Sequence, residues 1–234
     1  MIAGFDPSLT HFGWVLLDET RQGKEALLSS GTFKTDPSDG LLIQRLILQR
    51  ERVKRFILNN KIQFVAMEAP YWQDFNTEIL FALNQFIHEQ FLNLNTFVFY
   101  VQPVSLKKFA CPKLNPCEVT KHHMIHQAKT ELDMHGKRFS EHVSDAYFAG
   151  KLGCLFYNWY VSKNLTEEEL PEYARELFFG KHTYVKGLKK GLTDYNGIIY
   201  KENDQFFDYT KQNRKTTTII NEVLYGNGKE NKPR

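Results

Sequence analysis

Three acidic residues stand where a short apolar run ends or a helix adjoins it: Asp6 in MIAGFDPSLTHFGW, Glu68 in FVAMEAP and Asp145 in HVSDAYFAG. IAGF and FVAM are too brief and too apolar to be surface helices, so each reads as a buried strand ending in a carboxylate. Burying an unpaired ionised group costs several kcal/mol. A single acid is commonly a cap, a turn residue or half of a surface ion pair. Three of them, each adjoining an apolar element, point to a shared compensating partner, most simply a divalent cation held by oxygen ligands. Asp145 would complete the set from a helix. His142, three residues earlier, shares its face, and Ala146 and Ala149 continue that face with side chains small enough to let a helix approach a sheet. Glu141 lies about 100° round the helix from His142 and is the weaker candidate.

The elements that must position these groups follow from hydrophobic period and punctuation. In the first strand Ile2, Gly4 and Asp6 share a face, which puts Asp6 at the end of the sheet. IAGF, GWVLLD and GTFK, separated by PSLTHFG and RQGKEALLSS, read as a three-stranded meander. Residues 41–59 carry Leu42, Leu46, Val53, Phe56 and Ile57 at near-helical spacing with Arg45, Arg50, Arg52 and Lys54 between them, an amphipathic helix. FVAMEAP is a fourth strand ended by Pro70, residues 75–93 a second helix and TFVFYVQP a fifth strand. Pro112 and Pro116 punctuate a loop, and helices follow over 118–134 and 141–160. The order β-β-β-α-β-α-β-α-α describes an α/β domain with a mixed five-stranded sheet and flanking helices over residues 1–160. Residues 161–234 form a small α+β extension: Thr166 and Glu169 make a capping box opening a helix through Phe178, GIIYKENDQFFDY reads as a hairpin, and Lys211 to Arg234 is a polar, basic tail.

Composition narrows the class without choosing within it. The 234 residues hold 30 basic and 27 acidic side chains, a net charge of +3 that suits an anionic partner without requiring one. No apolar run reaches the roughly 20 residues of a membrane span, and the first residues lack a signal pattern, so no membrane association and a cytoplasmic location are expected, or the host cytoplasm if the source is viral. Three cysteines, Cys111, Cys117 and Cys154, have no framework spacing and read as reduced thiols. Cys111 and Cys117 precede His122, His123 and His126, but their spacing is not that of a zinc knuckle.

GFDPSLTHFGWVLLD, VAMEAPYW and HVSDAYFAG together resemble the RuvC group of Holliday-junction resolvases, metal-dependent endonucleases of ribonuclease-H-like fold, over roughly residues 1–155. The resemblance implies that Asp6, Glu68, and the helix pair His142 and Asp145 are the metal-binding and catalytic residues. His142 departs from the aspartate that many relatives carry; it could ligate a second metal, contact the scissile phosphate or deliver a proton. Members of the family place lysines in and after the loop that follows the fifth strand, and Lys107, Lys108 and Lys121 occupy comparable positions as DNA-binding residues. Tyr71 stands where relatives carry an aromatic that stacks on an opened base, with Trp72 beside it; packing on the next helix is the alternative for either ring.

The resemblance implies hydrolysis of a DNA phosphodiester with Mg2+, or Mn2+ in its place, as two ions about 4 Å apart. It also implies a homodimer that nicks four-way junctions symmetrically. The second helix, with Phe86, Ile87 and Phe91, is the expected dimer surface, although a core helix would look the same. Other readings are a less selective branched-DNA or flap endonuclease, and a non-catalytic nucleic-acid-binding module, against which the intact acids argue. The PSLT turn also resembles the first phosphate loop of actin-like kinases, whose second phosphate loop and second large domain are not visible in the sequence.

Overall fold

In a computed structural model, which describes residues 1–70, 77–134, 139–179, 183–185, 188–190, 198–202 and 205–208, the first three runs form the expected meander. β1 (Ile2–Asp6) pairs antiparallel with β2 (His11–Leu17), and β2 with β3 (Leu27–Lys34). The helix α1 (Leu42–Asn60) then carries the chain back to β4 (Phe64–Glu68), which lies parallel to β1 with Phe5 opposite Met67. A second crossover, α2 (Thr77–Asn93), leads to β5 (Phe97–Val101), parallel to β4 with Glu68 opposite Val101. The expected mixed sheet of five strands is therefore present in the order β3-β2-β1-β4-β5, with helices on both faces.

Both faces of the central strands are covered, which is why IAGF and FVAM are apolar throughout rather than alternating. Ala3, Phe5, Val65 and Met67 pack under α1 and α2. Ile2, Val15, Phe64, Ala66 and Val101 pack under α5 (Glu141–Phe156) on the other side. By the two-residue period Asp6 continues the line of Ile2 and Gly4, and Glu68 that of Phe64 and Ala66, so both acids face the α5 side.

Small residues let α5 sit close to the sheet. A methyl group on Gly4 would overlap the Ala146 carbonyl and the backbone of Gly150, and one on Gly13 would overlap the carbonyl and Cβ of His142. Gly4→Ala is expected to cost about 3 kcal/mol, because backbone rather than a flexible side chain must yield. A chemical denaturation midpoint unchanged from wild type would show that α5 does not seat on β1.

The sequence reading and the structure differ at several elements. Residues after β5 are not a loop but a helix, α3 (Pro103–Ala110), with Pro103 at its first position, where a missing N–H costs nothing. The next helix, α4 (Lys121–Glu131), is shorter than 118–134; it is capped by Thr120, whose hydroxyl accepts from the His123 N–H. The α5 helix ends at Phe156 rather than 160 and widens into a π turn over Tyr157–Val161. Glu169 does accept from the Thr166 N–H at 2.7 Å, but α6 spans Glu172–Phe179, since Pro171 keeps Leu170 out of the helical region.

Beyond α6, β6 (Thr183–Val185) and β7 (Leu188–Lys190) form a separate ribbon. The expected hairpin appears as β8 (Ile198–Glu202) and β9 (Gln205–Asp208); β8 pairs antiparallel with β5 and extends the sheet to seven strands. The basic tail from Lys211 lies outside the described residues.

The α2 dimer surface needs correction. Ile87 and Phe91 are fully buried against the sheet, and only Phe86 is partly accessible, beneath the Arg50 guanidinium. Among the described residues no helix is long and apolar enough to cross a membrane.

Candidate active site at the carboxyl ends of the parallel strands

Asp6 and Glu68 are the last residues of adjacent parallel strands, and α5 brings His142 and Asp145 to the same end of the sheet. That end is where open α/β sheets leave a crevice for ligands. The start of α5 is determined locally: the Ser140 hydroxyl accepts from the Val143 N–H at 3.2 Å, which places His142 and Asp145 in the first turns.

Asp6 and His142 are joined directly. His142 Nδ1 lies 2.6 Å from Asp6 Oδ2, and the side chains are only 26% and 13% exposed. Burial pushes the Asp6 carboxyl well above its ordinary range and lowers the His142 imidazole. The far nitrogen of the ring, Nε2, stands 3.6 Å from Glu141 Oε1. His142 is thus bracketed by two carboxylates.

Burial is the largest cause at all three carboxylates, and neighbouring charge adds to it: Asp145 raises Asp6. Glu68 is shifted well up, first by burial and then by the charges of Asp6 and Asp145. Burial brings Asp145 up to about 6, against the opposing charges of His142 and Lys121. A cluster of acids that cannot all ionise unaided is one that a cation would relieve. Their oxygens suit a hard divalent ion. Among the described residues no three His, Cys, Asp or Glu side chains already stand as a ligand cage.

The lysines divide. Lys121 forms an ion pair with Glu141 at 2.8 Å, and its charge reaches Asp6, Glu68 and Asp145. Lys107, on α3, faces Glu68 and Asp145 closely enough to lower both. Lys108 turns the other way and donates to the Pro112 carbonyl at 2.7 Å. Tyr71 and Trp72 lie outside the described residues.

Two neighbours stand closer to the site than the sequence suggests: Glu141, the weaker candidate by helical angle, and His11, which no pattern singles out. Glu141 reaches both Lys121 and His142 because a long side chain in the first turn can fold back over the helix end, which a count of 100° per residue ignores. His11, at the start of β2, is exposed and lies nearly parallel to the His142 ring, with centroids 6.0 Å apart and planes at 4°. The signal for His11 was its distance of five residues from Asp6 across a tight turn, which a hairpin returns to the same end of the sheet.

The sequence matches no family model and no curated protein. Among solved structures the chain is similar to Thermus thermophilus RuvC in complex with a Holliday junction substrate, at 18% identity and a TM-score of 0.55, covering 69% of this chain and 96% of that one. It is similar also to a second structure of Thermus thermophilus RuvC, at 17% identity and a TM-score of 0.55, covering 68% and 96%. At this identity the likeness establishes the fold: a ribonuclease-H-like sheet of the RuvC kind.

Proposed function

We propose that this protein is a divalent-metal-dependent endonuclease that resolves four-way DNA junctions, with Asp6, Glu68, His142 and Asp145 as its catalytic and metal-binding residues. The observation that carries the reading is the meeting of three largely buried carboxylates, drawn from separate elements and all raised by burial, beside Lys107 and Lys121. Stability alone does not explain such a cluster, since burial disfavours the ionised form of every member. A hydrolytic site for a phosphodiester does, because it must hold cations and meet an anionic substrate. The RuvC-like fold supports the choice of DNA as that substrate.

Asp6, Glu68 and Asp145 would hold Mg2+ or Mn2+, with His142 as the fourth member of the set, and the side chains must adjust from their present rotamers to do so. The bound ions, two in this proposal, supply Lewis acidity for the attacking water and the departing 3′ oxygen. The chain's own groups do the rest. Lys107 and Lys121 draw the phosphate backbone to the carboxyl ends of the strands. Phosphate competes with Glu141 for the Lys121 ammonium. In the metal-free site His142 meets Asp6 Oδ2 through Nδ1, with Nε2 toward Glu141, and a bound cation would replace that contact at the ionised Asp6 carboxylate.

A homodimer remains part of the proposal, since symmetric nicking needs two sites, but its surface is not the buried Ile87 and Phe91 stripe. Residues 161–234 are proposed to form an extension, joined to the sheet through β8, whose basic tail adds sequence-independent DNA affinity. Incubation of the purified protein with a synthetic four-way junction, a flap, a Y-fork and linear duplex, with and without Mg2+ or Mn2+, tests the function. Metal-dependent, paired nicks in the junction are expected. Equal cutting of the flap would favour the less selective branched-DNA nuclease.

The role of His142 separates by substitution. His142→Ala is expected to lower the junction cleavage rate by about 100-fold or more. His142→Asp is expected to keep the rate within about tenfold of wild type, because a carboxylate can replace an imidazole as a ligand to a hard ion. Single-turnover rates decide it: equal loss in both variants would remove His142 from the ligand set and leave its proton as the function.

A further inference from the structure

We propose that Gln49 and Thr35 are positioning residues: together they clamp the turn that follows Asp6 and so set the first carboxylate of the site for metal. The inference rests on the metal-site reading above and deepens it.

The turn between β1 and β2, residues 7–10, leaves the Leu9 carbonyl pointing into the domain. That oxygen accepts from Gln49 Nε2 at 2.9 Å and from the Thr35 hydroxyl. The second hydrogen of the Gln49 amide goes to the Phe33 carbonyl at 3.1 Å, tying the turn to β3. The Thr35 N–H donates to the Thr10 carbonyl at 3.0 Å, and Arg45 Nε lies 3.3 Å from the Thr35 hydroxyl. One helix, one strand end and one turn are thereby fastened at a point three residues from Asp6. The same turn carries His11, whose N–H donates to the Ser8 hydroxyl and whose ring lies against His142.

Packing does not account for Gln49. It is fully buried and occupies the core stripe of α1 between Leu46 and Val53, where a leucine or methionine would fit the pattern. Its Oε1 has no hydrogen-bond partner, so part of the cost of burying the amide is left uncompensated. A residue that breaks the local rule at a cost in stability, and whose two donors both go to backbone around the site, is placed for function. The clamp is needed because Asp6 ends its strand: beyond the pairing of Asp6 with Gly13, the sheet ladder no longer holds the chain.

The test compares Thr35→Val, which keeps the shape and loses the hydroxyl, with Thr35→Ser, which keeps the hydroxyl, and adds Gln49→Met, which keeps the volume and loses both donors. Mn2+ affinity is measured by calorimetry on the full chain, alongside thermal unfolding without metal and junction binding in EDTA. Thr35→Val and Gln49→Met are expected to weaken Mn2+ binding about tenfold, no more than the lower end for a direct partner of a metal ligand, because they reach Asp6 only through the turn. Thr35→Ser is expected to stay within about twofold of wild type, and junction binding in EDTA to be unchanged in all three. If Gln49→Met does not fold, the two Thr35 variants carry the comparison. A lower melting temperature with unaltered Mn2+ affinity, or equal weakening by valine and serine, would overturn the proposal, as would a wild type that binds no Mn2+. A wild type that binds Mn2+ but cuts no branched DNA would sink the nuclease reading and leave the clamp standing.

Discussion

Asp6→Asn should leave a folded protein that binds a four-way junction at least as well as wild type and cuts it less than a few per cent as fast. Asparagine keeps the shape and one oxygen, so β1 and its pairing with β2 are undisturbed. The change removes the negative charge that a divalent ion requires from its ligands. It also removes one of the charges that raise Glu68, and a site with less negative charge repels backbone phosphate less when metal is absent. Gel-shift titration in EDTA reports the first half of the prediction and single-turnover cleavage with Mg2+ the second. Cleavage retained at a tenth of the wild-type rate would take Asp6 out of the metal site, whatever the binding data showed.

The second large effect concerns the metal-free protein. Asp145 is raised by burial to about 6 in the folded chain, against 3.8 ordinarily. Between those values the folded state keeps a proton that the unfolded state releases, so stability falls as pH rises from about 4 to about 6 and is level above. At neutral pH this group alone destabilises the metal-free fold by about 2 to 3 kcal/mol. Asp145→Asn should therefore raise the melting temperature in EDTA at pH 7 by about 5 °C or more, and by much less at pH 4.5. Mg2+ or Mn2+ should stabilise wild type, increasingly as pH rises through the same window, since ligation needs the ionised carboxylate. The asparagine variant should respond little. An EDTA melting temperature lower in Asp145→Asn than in wild type at pH 7 would mean that the carboxylate is already compensated by protein groups.

Part of this protein was determined locally. Asp6 and Glu68 could be placed at strand ends because IAGF and FVAM are too brief and too apolar for surface helices, and His142 and Asp145 on one face because a spacing of three in a helix puts them there. Proline chemistry is local as well: Pro103 opens α3, and α6 starts just after Pro171.

What only the tertiary structure decided are the relations between elements. Ile87 and Phe91 look the same in a sequence whether they face a second subunit or the sheet; their burial depends on what lies opposite. The sequence placed Glu141 by its Cα, but three or more rotatable bonds let the carboxylate reach Lys121 and His142, and that choice is made by the charges it finds there. His11 and Gln49 carried no motif. Their proximity to the site comes from β2 folding back on β1 and from α1 crossing beneath the turn, contacts between residues as far as 136 apart in the case of Asp6 and His142. A period of two or 3.6 residues records which way a side chain faces along its own element, and nothing in it records the distance to another.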